Sequence, residues 1–528
     1  MLFTSYSFIA FLCALMLVYW VAPKRWQWGI LLIGSYSFYA FSGLENILFI
    51  LFTTLSSYAT AWAIDKNRQS EERFVSLNKE TLDKEERKAY KAKEKKKRFN
   101  ILVVGLVLNF GVLAVIKYTA FAVSNVNSVL TAFGGKALEI PSLLLPMGIS
   151  FYIFQTMSYL IDLYRGKAER EANLFKFALF VSFFPQLVQG PISRFSSLGA
   201  QLTTPHTFDR KEFTFGLQRV LWGFFKKLVI ADRILASMKL LLDAPEKYEG
   251  AYVAMLILLY SIEIYADFTG GIDITIGISQ MLGIKLAENF NRPFSSHSTK
   301  EYWNRWHITM GSWFTDYVFY PLSVCRPMLK LSKFSRKTFG NSIGKRIPVY
   351  LATIVTWFLT GLWHGAGWNF IVWGLLNCLV ILVSQELEPL YARFRKKFPR
   401  LTASKPYGNF MAVRTFLLMG LIRSLDCYRN VGLTFRMWGT MFTRFNLGEL
   451  LSNPTGFGLS VADMIIIALG VCVVFAVSKA SSKGSVREKL YAKPALSLAL
   501  TLSLFVAIIL FGAYGIGYDG AQFIYNQF

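Results

Sequence analysis

One histidine lies in a short glycine-rich stretch, GLWHGAGWN (residues 361–369), between two membrane-type hydrophobic runs. This residue, His364, is one of only four histidines in the chain. An imidazole has an unperturbed pKa of about 6.5, and burial lowers that pKa, so a neutral ring can accept a proton from a hydroxyl. His364 is therefore a candidate general base. The structural alternative is a histidine hydrogen-bonded inside the bundle, with Trp363 and Trp368 as packing or interface aromatics.

A second histidine, His307, lies in the aromatic segment EYWNRWHITMGSW (residues 301–313). Residues 298–322 have the pattern of an amphipathic helix at the membrane interface, which Ser298 and Glu301 could begin as a capping box. Tryptophans in such a segment are typical interface anchors, and a role in a site is the alternative. The other two histidines, at positions 206 and 297, are predicted to be loop residues.

Three carboxylates, Glu263, Asp267 and Asp273, interrupt the otherwise apolar stretch SIEIYADFTGGIDITIG (residues 261–277). Glu263 and Asp267 are four residues apart and share one helix face. Since no histidine or cysteine accompanies them at ligand spacing, a metal site is not favoured and we expect no bound metal or cofactor. We expect instead helix caps and hydrogen bonds at a break at Gly270–Gly271.

The elements that position these residues are membrane helices. The chain of 528 residues is 54% hydrophobic and 16% aromatic, with a mean hydropathy of +0.39, which is too apolar for a soluble protein of this length. Apolar runs long enough to cross about 30 Å of hydrocarbon recur along the chain. We predict about ten to twelve helical passes.

The net charge of +25 is explained by topology rather than by nucleic-acid binding, because the basic residues lie in loops between hydrophobic runs. Residues 65–99, 326–346, 393–405 and 479–493 are basic and are predicted to be cytoplasmic by the positive-inside rule. Residues 122–142 carry little charge and suit the outer side. The amino terminus is therefore predicted to be extracytoplasmic, in a multi-pass protein of the cell membrane.

This topology places His364 at a turn that points away from the cytoplasm. Residues 347–363 leave one basic loop and residues 368–384 return towards the next. Some sixteen helical residues rise about 24 Å, which is less than the roughly 30 Å core, and Gly365 and Gly367 then break the helix. Non-helical backbone at that depth is tolerated where protein covers it or water reaches it, so we infer a cavity at His364.

Six stretches in this order resemble the membrane-bound O-acyltransferase (MBOAT) family. The resemblance is strongest to the branch that contains the alginate O-acetylation membrane protein, and more distant to D-alanyl transfer proteins of teichoic acid synthesis. The stretches are MLFTSYSFIAF (1–11), LPMGISFYIFQTMSYLIDLYRG (145–166), FPQLVQGPISRF (184–195), YADFTGGIDITIGISQMLGIKLAENFNRPF (265–294), EYWNRWHITMGSWFTDYVFYPL (301–322) and GLWHG (361–365).

The resemblance implies an all-α polytopic membrane protein of about 10–12 transmembrane or re-entrant helices, with a thin central core and an extracytoplasmic funnel. The implied organisation is N-terminal transmembrane helices (1–64), a charged cytoplasmic hairpin (65–99), a catalytic core (100–425), and C-terminal transmembrane helices with an aromatic tail (426–528). Two regions depart from the family pattern. The segment after residue 322 lacks the expected glycine-rich turn, and residues 420–445 differ from the alginate-type sequence.

The resemblance also implies the chemistry. His364 corresponds to the catalytic histidine, and His307 to the second characteristic polar position of the family. The reaction would move an acyl group, most simply acetyl from acetyl-CoA, from a cytoplasmic thioester to a cell-surface polysaccharide. An extracytoplasmic SGNH-type acyltransferase would be the partner. Residues proposed to contact donor or substrate are Trp303, Asn304, Arg305, Trp306 and Trp363.

Three other functions remain open from the sequence. D-alanyl transfer to teichoic acid is a variant of the same chemistry. A transporter would use the same cavity without covalent chemistry, although the chain has no evident internal repeat. A non-catalytic scaffold of an envelope assembly would make His364 dispensable.

Overall fold

The computed structural model describes residues 3–514, and the predicted all-α polytopic membrane fold is confirmed. Within this range the one strand-like pairing is an isolated antiparallel bridge between Phe290 and Trp306. The predicted aromatic tail at 523–528 lies outside the described residues. Seven described helices are long and apolar enough to span a bilayer, and Tyr6–Val21 and Leu174–Gln189 are shorter apolar segments. The seven are Leu44–Leu77, Lys84–Ala132, Ala251–Met281, Arg346–His364, Trp368–Glu386, Val461–Ser481 and Pro494–Phe511.

The chain divides into two compact units. The first takes the described residues up to Asp209 together with Leu282–Leu286, and the second takes Arg210–Met281 and the described residues from Ala287 onwards. The helices of the first unit are α1 (Tyr6–Val21), α2 (Gln27–Ala40), α3 (Leu44–Leu77), α4 (Lys84–Ala132), α5 (Ile149–Arg165), α6 (Leu174–Ser182), α7 (Phe184–Gln189) and α8 (Phe195–Thr203), with a 3₁₀ turn at Lys24–Trp26.

Within the first unit, α3 and α4 form a long antiparallel hairpin. Their 34 and 49 residues correspond to about 50 and about 73 Å, so both extend well past a hydrocarbon core of about 30 Å. Asp83 begins α4 with a capping box that Glu86 completes. Beyond the apolar part, Arg98 pairs with Glu71 at 2.5 Å. The predicted boundaries at 64/65 and 99/100 fall inside these helices, so the charged segment consists of the ends of α3 and α4 and the turn that joins them at residues 78–83.

The helices of the second unit include those that carry both candidate histidines. They are α9 (Arg210–Phe224), α10 (Asp232–Asp243), α11 (Ala251–Met281), α12 (Thr299–Arg305), α13 (Ile308–Phe314), α14 (Tyr320–Ser323), α15 (Arg326–Gly344), α16 (Arg346–His364), α17 (Trp368–Glu386), α18 (Glu388–Lys397), α19 (Pro399–Thr402), α20 (Lys405–Tyr428), α21 (Val431–Thr443), α22 (Leu447–Ser452), α23 (Val461–Ser481), α24 (Val486–Tyr491) and α25 (Pro494–Phe511). Two π-helical turns, Phe225–Ala231 and Thr315–Phe319, and 3₁₀ turns at Pro245–Lys247 and Pro293–Ser295 complete the unit.

Helices α9 and α11 pack closely because glycines face each other. A Cβ on Gly223 would lie 2.5 Å from the carbonyl oxygen of Gly270, and one on Gly216 would lie 2.6 Å from that of Gly277. Small residues let membrane helices approach to this distance. The expected helix break at Gly270–Gly271 is therefore wrong: α11 runs through both glycines, and Gly270 allows close packing against α9.

The three carboxylates of α11 are not helix caps either, and this expectation is corrected as well. Asp273 pairs with Lys226 at 2.6 Å and with Arg219 at 2.8 Å. Asp267 pairs with Lys227 at 2.6 Å. The two consecutive lysines lie in the π-helical turn Phe225–Ala231, and both reach carboxylates of α11. The sequence pattern missed these pairs because the basic partners are some 40 to 50 residues away along the chain.

Candidate active site

The turn that carries His364 lies between α16 and α17, as predicted from the glycines. Gly365 and Gly367 have extended backbone (φ −171° and −164°). The turn is tight, since a Cβ on Gly365 would lie 2.1 Å from the ring of Phe370. Helix α16 has 19 residues, about 28 Å, which is longer than the sixteen residues predicted and only just below the thickness of a hydrocarbon core.

His364 is the last residue of α16 and is half-buried. Its ring centre lies 4.9 Å from that of Trp363 and 4.7 Å from that of Trp373 in α17, both in edge-to-face geometry. Such aromatic pairs have preferred orientations, so two indoles restrict the plane of the imidazole. The arrangement holds the imidazole in a defined orientation with Nε2 shielded from solvent, and a defined orientation is one requirement of a general base.

His307 interrupts the segment that was predicted to be one interface helix. That prediction is wrong: α12 ends at Arg305, α13 begins at Ile308, and His307 between them has a left-handed backbone (φ 49°, ψ 54°). A non-glycine residue pays about 1–2 kcal/mol for this conformation. The cause is a tertiary contact, because the Asn291 N–H donates to the Arg305 carbonyl and the Ile308 N–H to the Asn289 carbonyl.

The His307 side chain is fully buried. Its Nδ1 lies 3.3 Å from Oδ1 of Asn289, and its ring lies 4.9 Å from that of Phe268. His307 is outside the seven spanning helices, and burial lowers its pKa to about 3, with the positive charge of Arg423 acting in the same direction. The ring is therefore neutral at physiological pH.

Trp363 links the two histidines. The ring of His307 lies 6.0 Å from the indole of Trp363, and the same indole lies 4.9 Å from His364. Trp363 itself is buried at 6% exposure. His307 and His364 are 57 residues apart in sequence. The structure brings both into one aromatic cluster with Trp363.

Trp306 is not on the surface, as an interface anchor would be. It is 3% exposed, stacks on Tyr302 at 5.6 Å, and carries the guanidinium of Arg423 4.1 Å above its ring centre. The same guanidinium donates to the Tyr302 hydroxyl at 3.0 Å. Trp313 is likewise 4% exposed. The tryptophans of this segment therefore build the interior of the unit.

The remaining predicted donor-contact residues differ in what they can reach. Trp303 donates through its indole N–H to Asn377 Oδ1 at 3.1 Å. Arg305 is half-buried and pairs with Glu301 at 2.6 Å, and Asn304 is exposed. Asn304 and Arg305 can contact a bound molecule without repacking the core. Ser298 begins α12 as predicted, but Glu301 accepts from the N–H of His297 instead of completing the capping box.

Three residues of the site were missed from the sequence. Asn289 and Trp373 carried no signal of their own in the sequence. Arg423 did, because it is a basic residue in the apolar run FLLMGLIRSL (416–425), and such residues inside membrane helices are usually functional or paired. Asp267 and Asp273 of α11, by contrast, belong to the ion-pair network with Lys226, Lys227 and Arg219, and Glu263 is buried on the same helix. Among the residues described here, no group of three or more His, Cys, Asp or Glu side chains could hold a metal ion.

Comparison with known proteins bears on the family of the chain. Residues 31–423 match the membrane-bound O-acyltransferase (MBOAT) family. The chain is 31% identical over 451 residues to the "Probable alginate O-acetylase AlgI" of Azotobacter vinelandii, which covers 84% of this chain and 78% of that protein. It is 29% identical to the peptidoglycan O-acetyltransferase of Helicobacter pylori (74% and 69% covered). It is 28% identical to the teichoic acid D-alanyltransferase of Streptococcus thermophilus (54% and 69% covered).

Proposed function

The chain belongs to the membrane-bound O-acyltransferase family, and from this premise we propose a specific reaction for it. It is an integral, multi-pass membrane O-acyltransferase, and we propose that it transfers acetyl from acetyl-CoA for O-acetylation of a cell-surface polysaccharide. His364 is the general base. The observation that carries the proposal is a half-buried imidazole, fixed between Trp363 and Trp373 where α16 gives way to a glycine turn.

The chemistry needs one base. The acceptor hydroxyl attacks the thioester carbonyl, its proton passes to His364, and the carbon–sulfur bond breaks as the new ester bond forms. A thiol with a pKa of about 8.5 is a good leaving group and takes up the proton from the imidazolium as free CoA. Activation of the hydroxyl is therefore the demanding step, and an oriented imidazole meets that demand.

The donor side of the proposal rests on α12. Arg305 and Asn304 are the members of the predicted set with exposed polar groups, and Arg305 can meet a donor phosphate once its contact with Glu301 is exchanged. Trp303 and Trp306 support α12 from the interior. We assign donor contact to the two polar residues and a structural role to the two tryptophans.

The proposed orientation follows the charges. The basic segments 326–346 and 393–405 flank the far ends of α16 and α17, and by the positive-inside rule these ends are cytoplasmic. His364 then lies towards the extracytoplasmic side, where a polysaccharide is available. An extracytoplasmic acyltransferase of SGNH type would complete the transfer to the polymer.

The test compares the wild type with His364→Ala in a host that lacks this gene and its paralogues but keeps the neighbouring envelope genes. Ester-linked acetate and D-alanine are released from surface polymers by mild alkali and quantified at matched protein levels. His297→Ala is the matched control, because this histidine lies in the loop before α12. We expect ester-linked acetate with the wild type and the control, and none with His364→Ala.

Each other outcome contradicts a defined part of the proposal. Release of D-alanine in place of acetate would assign the chain to the chemistry of its teichoic acid relatives. Full acetylation by His364→Ala would refute the general-base role and favour transport or a scaffold.

A further inference from the structure

Asn289 contacts His307 in a way that determines where the imidazole proton lies. Oδ1 of Asn289 accepts from the backbone N–H of Thr309 at 3.0 Å and from its hydroxyl at 2.9 Å. The same oxygen lies 3.3 Å from Nδ1 of His307. Asn289, like His307, is fully buried.

The orientation of the amide is fixed by Thr309. A backbone N–H can only donate, so the Asn289 atom that faces it must be the oxygen. A flipped amide would place two N–H donors against the N–H of Thr309. The amide oxygen has no hydrogen, so a hydrogen bond with Nδ1 of His307 requires the proton on Nδ1.

We propose that Asn289 is the positioning residue that holds His307 as the Nδ1–H tautomer, with Nε2 as the lone-pair nitrogen. This inference rests on the proposed function for its role in the reaction, although the tautomer itself does not depend on it. His307 then acts as a neutral hydrogen-bond acceptor through Nε2. The proton of the acceptor hydroxyl passes to His364 alone.

The choice of asparagine supports this assignment. Asparagine and aspartate cap helices about equally well, and either could accept both bonds from Thr309. In the described part of the chain, however, Nδ2 of Asn289 is buried and has no hydrogen-bond partner. An unpaired buried donor costs free energy that an aspartate would not incur. The side chain therefore supplies an acceptor without a negative charge beside His307.

The other charged groups near His307 are also consistent with a neutral imidazole. Arg423 of α20 is a buried cation, and its positive charge disfavours protonation of His307. On α11, Asp267 precedes Phe268, the residue in ring contact with His307, and is paired with Lys227. His364 on α16 lies beyond Trp363. The left-handed backbone of His307 keeps the ring in this environment.

The first experiment reads the tautomer directly by ¹⁵N NMR of the full-length protein in lipid nanodiscs with labelled histidine. Only four histidines are present, and single His206→Asn, His297→Asn and His364→Asn variants assign the other three signals. We expect a protonated Nδ1 and an unprotonated Nε2 for His307, unchanged from pH 8 to pH 4. A protonated Nε2, or titration near the ordinary pKa of about 6.5, would overturn the proposal.

The second experiment compares Asn289→Asp with Asn430→Asp. Asn430 is the N-cap of α21 and accepts from the Leu433 N–H at 2.8 Å, so it is a capping asparagine without a histidine contact. A carboxylate beside His307 should raise the midpoint of its ¹⁵N titration by about one to three pH units. Asn430→Asp should leave it unchanged. An unshifted midpoint in Asn289→Asp would contradict the contact between residue 289 and Nδ1 of His307.

These outcomes separate the inference from the proposed function. The NMR signals need no substrate, so they stand whether or not polysaccharide acetylation is observed. If Asn289→Asp does not fold, the wild-type spectrum alone still decides the tautomer. Loss of acetylation in His364→Ala together with a protonated Nε2 on His307 would support the proposed function and refute the role of Asn289.

Discussion

Replacement of Lys227 by methionine tests whether the ion pairs of α11 hold the second unit together. Nζ of Lys227 lies 2.6 Å from Asp267 and 2.7 Å from Asp232, and all three side chains are at most 6% exposed. Methionine has a similar length but removes the charge, so two carboxylates would remain buried near each other without their shared cation. Removal of one partner from a buried ion pair costs about 3–5 kcal/mol.

The matched control is Lys211→Met. Lys211 pairs with Glu488 at 2.9 Å, but these side chains are 38% and 54% exposed. An exposed pair contributes about 0–1 kcal/mol, so the same substitution should be nearly neutral there. The measurement is the midpoint of thermal unfolding of detergent-purified protein. Size-exclusion chromatography of heated samples monitors the loss of folded protein.

A compensating variant separates charge from packing. Replacement of a complete buried ion pair by neutral side chains is often neutral or stabilising, because the desolvation penalty disappears with the charges. The triple variant Lys227→Met/Asp232→Asn/Asp267→Asn should therefore recover most of the stability lost by Lys227→Met. If Lys227→Met is no less stable than Lys211→Met, or if the triple variant is the least stable of all, the explanation by unpaired buried carboxylates is refuted.

Three further changes have defined outcomes. Gly223→Ala should cost about 1–3 kcal/mol of stability and so lower the midpoint of thermal unfolding, because the new Cβ would clash with the α11 backbone. Gly111→Ala is the control: no atom lies within 4 Å of its Cβ, so this variant should be neutral or slightly stabilising. Trp373→Phe should reduce polymer-linked acetate about 10- to 100-fold at unchanged protein level, because His364 loses one of its two indole contacts; unchanged acetate would contradict this. Arg423→Lys should cost about 1–2 kcal/mol in the same unfolding assay, because an ammonium cannot stack on Trp306 in the same way; an unchanged midpoint would argue against the stacking contribution.

The features that the sequence predicted correctly are those fixed by neighbouring residues. The turn after His364 follows from two glycines between apolar runs, and Ser298 begins α12 as its N-cap. Hydropathy predicted a polytopic membrane protein, and seven described helices are long and apolar enough to span a bilayer. In each case the determining interaction lies within a few residues of the feature.

The features that were missed depend on distant parts of the chain. The break at His307 arises because residues 289–291 hydrogen-bond to residues 305–308, and nothing within 301–313 itself predicts it. Gly270–Gly271 was predicted to be a helix break because the contact between Gly270 and Gly223 of α9 cannot be seen in the local sequence. The ion pairs of Asp267 and Asp273 cannot be predicted from α11 alone, because the partners Lys226 and Lys227 lie in a π-helical turn elsewhere in the chain.

The two histidines share one structural property that explains why they can differ chemically. Each lies where a helix ends, His364 at the last residue of α16 and His307 between α12 and α13. A helix end frees a side chain from the regular spacing of the helix, but its backbone groups then need other partners. His364 is half-buried beside the glycine turn, whereas His307 is fully buried against Asn289. The two rings are therefore in different environments, and Trp363 lies between them.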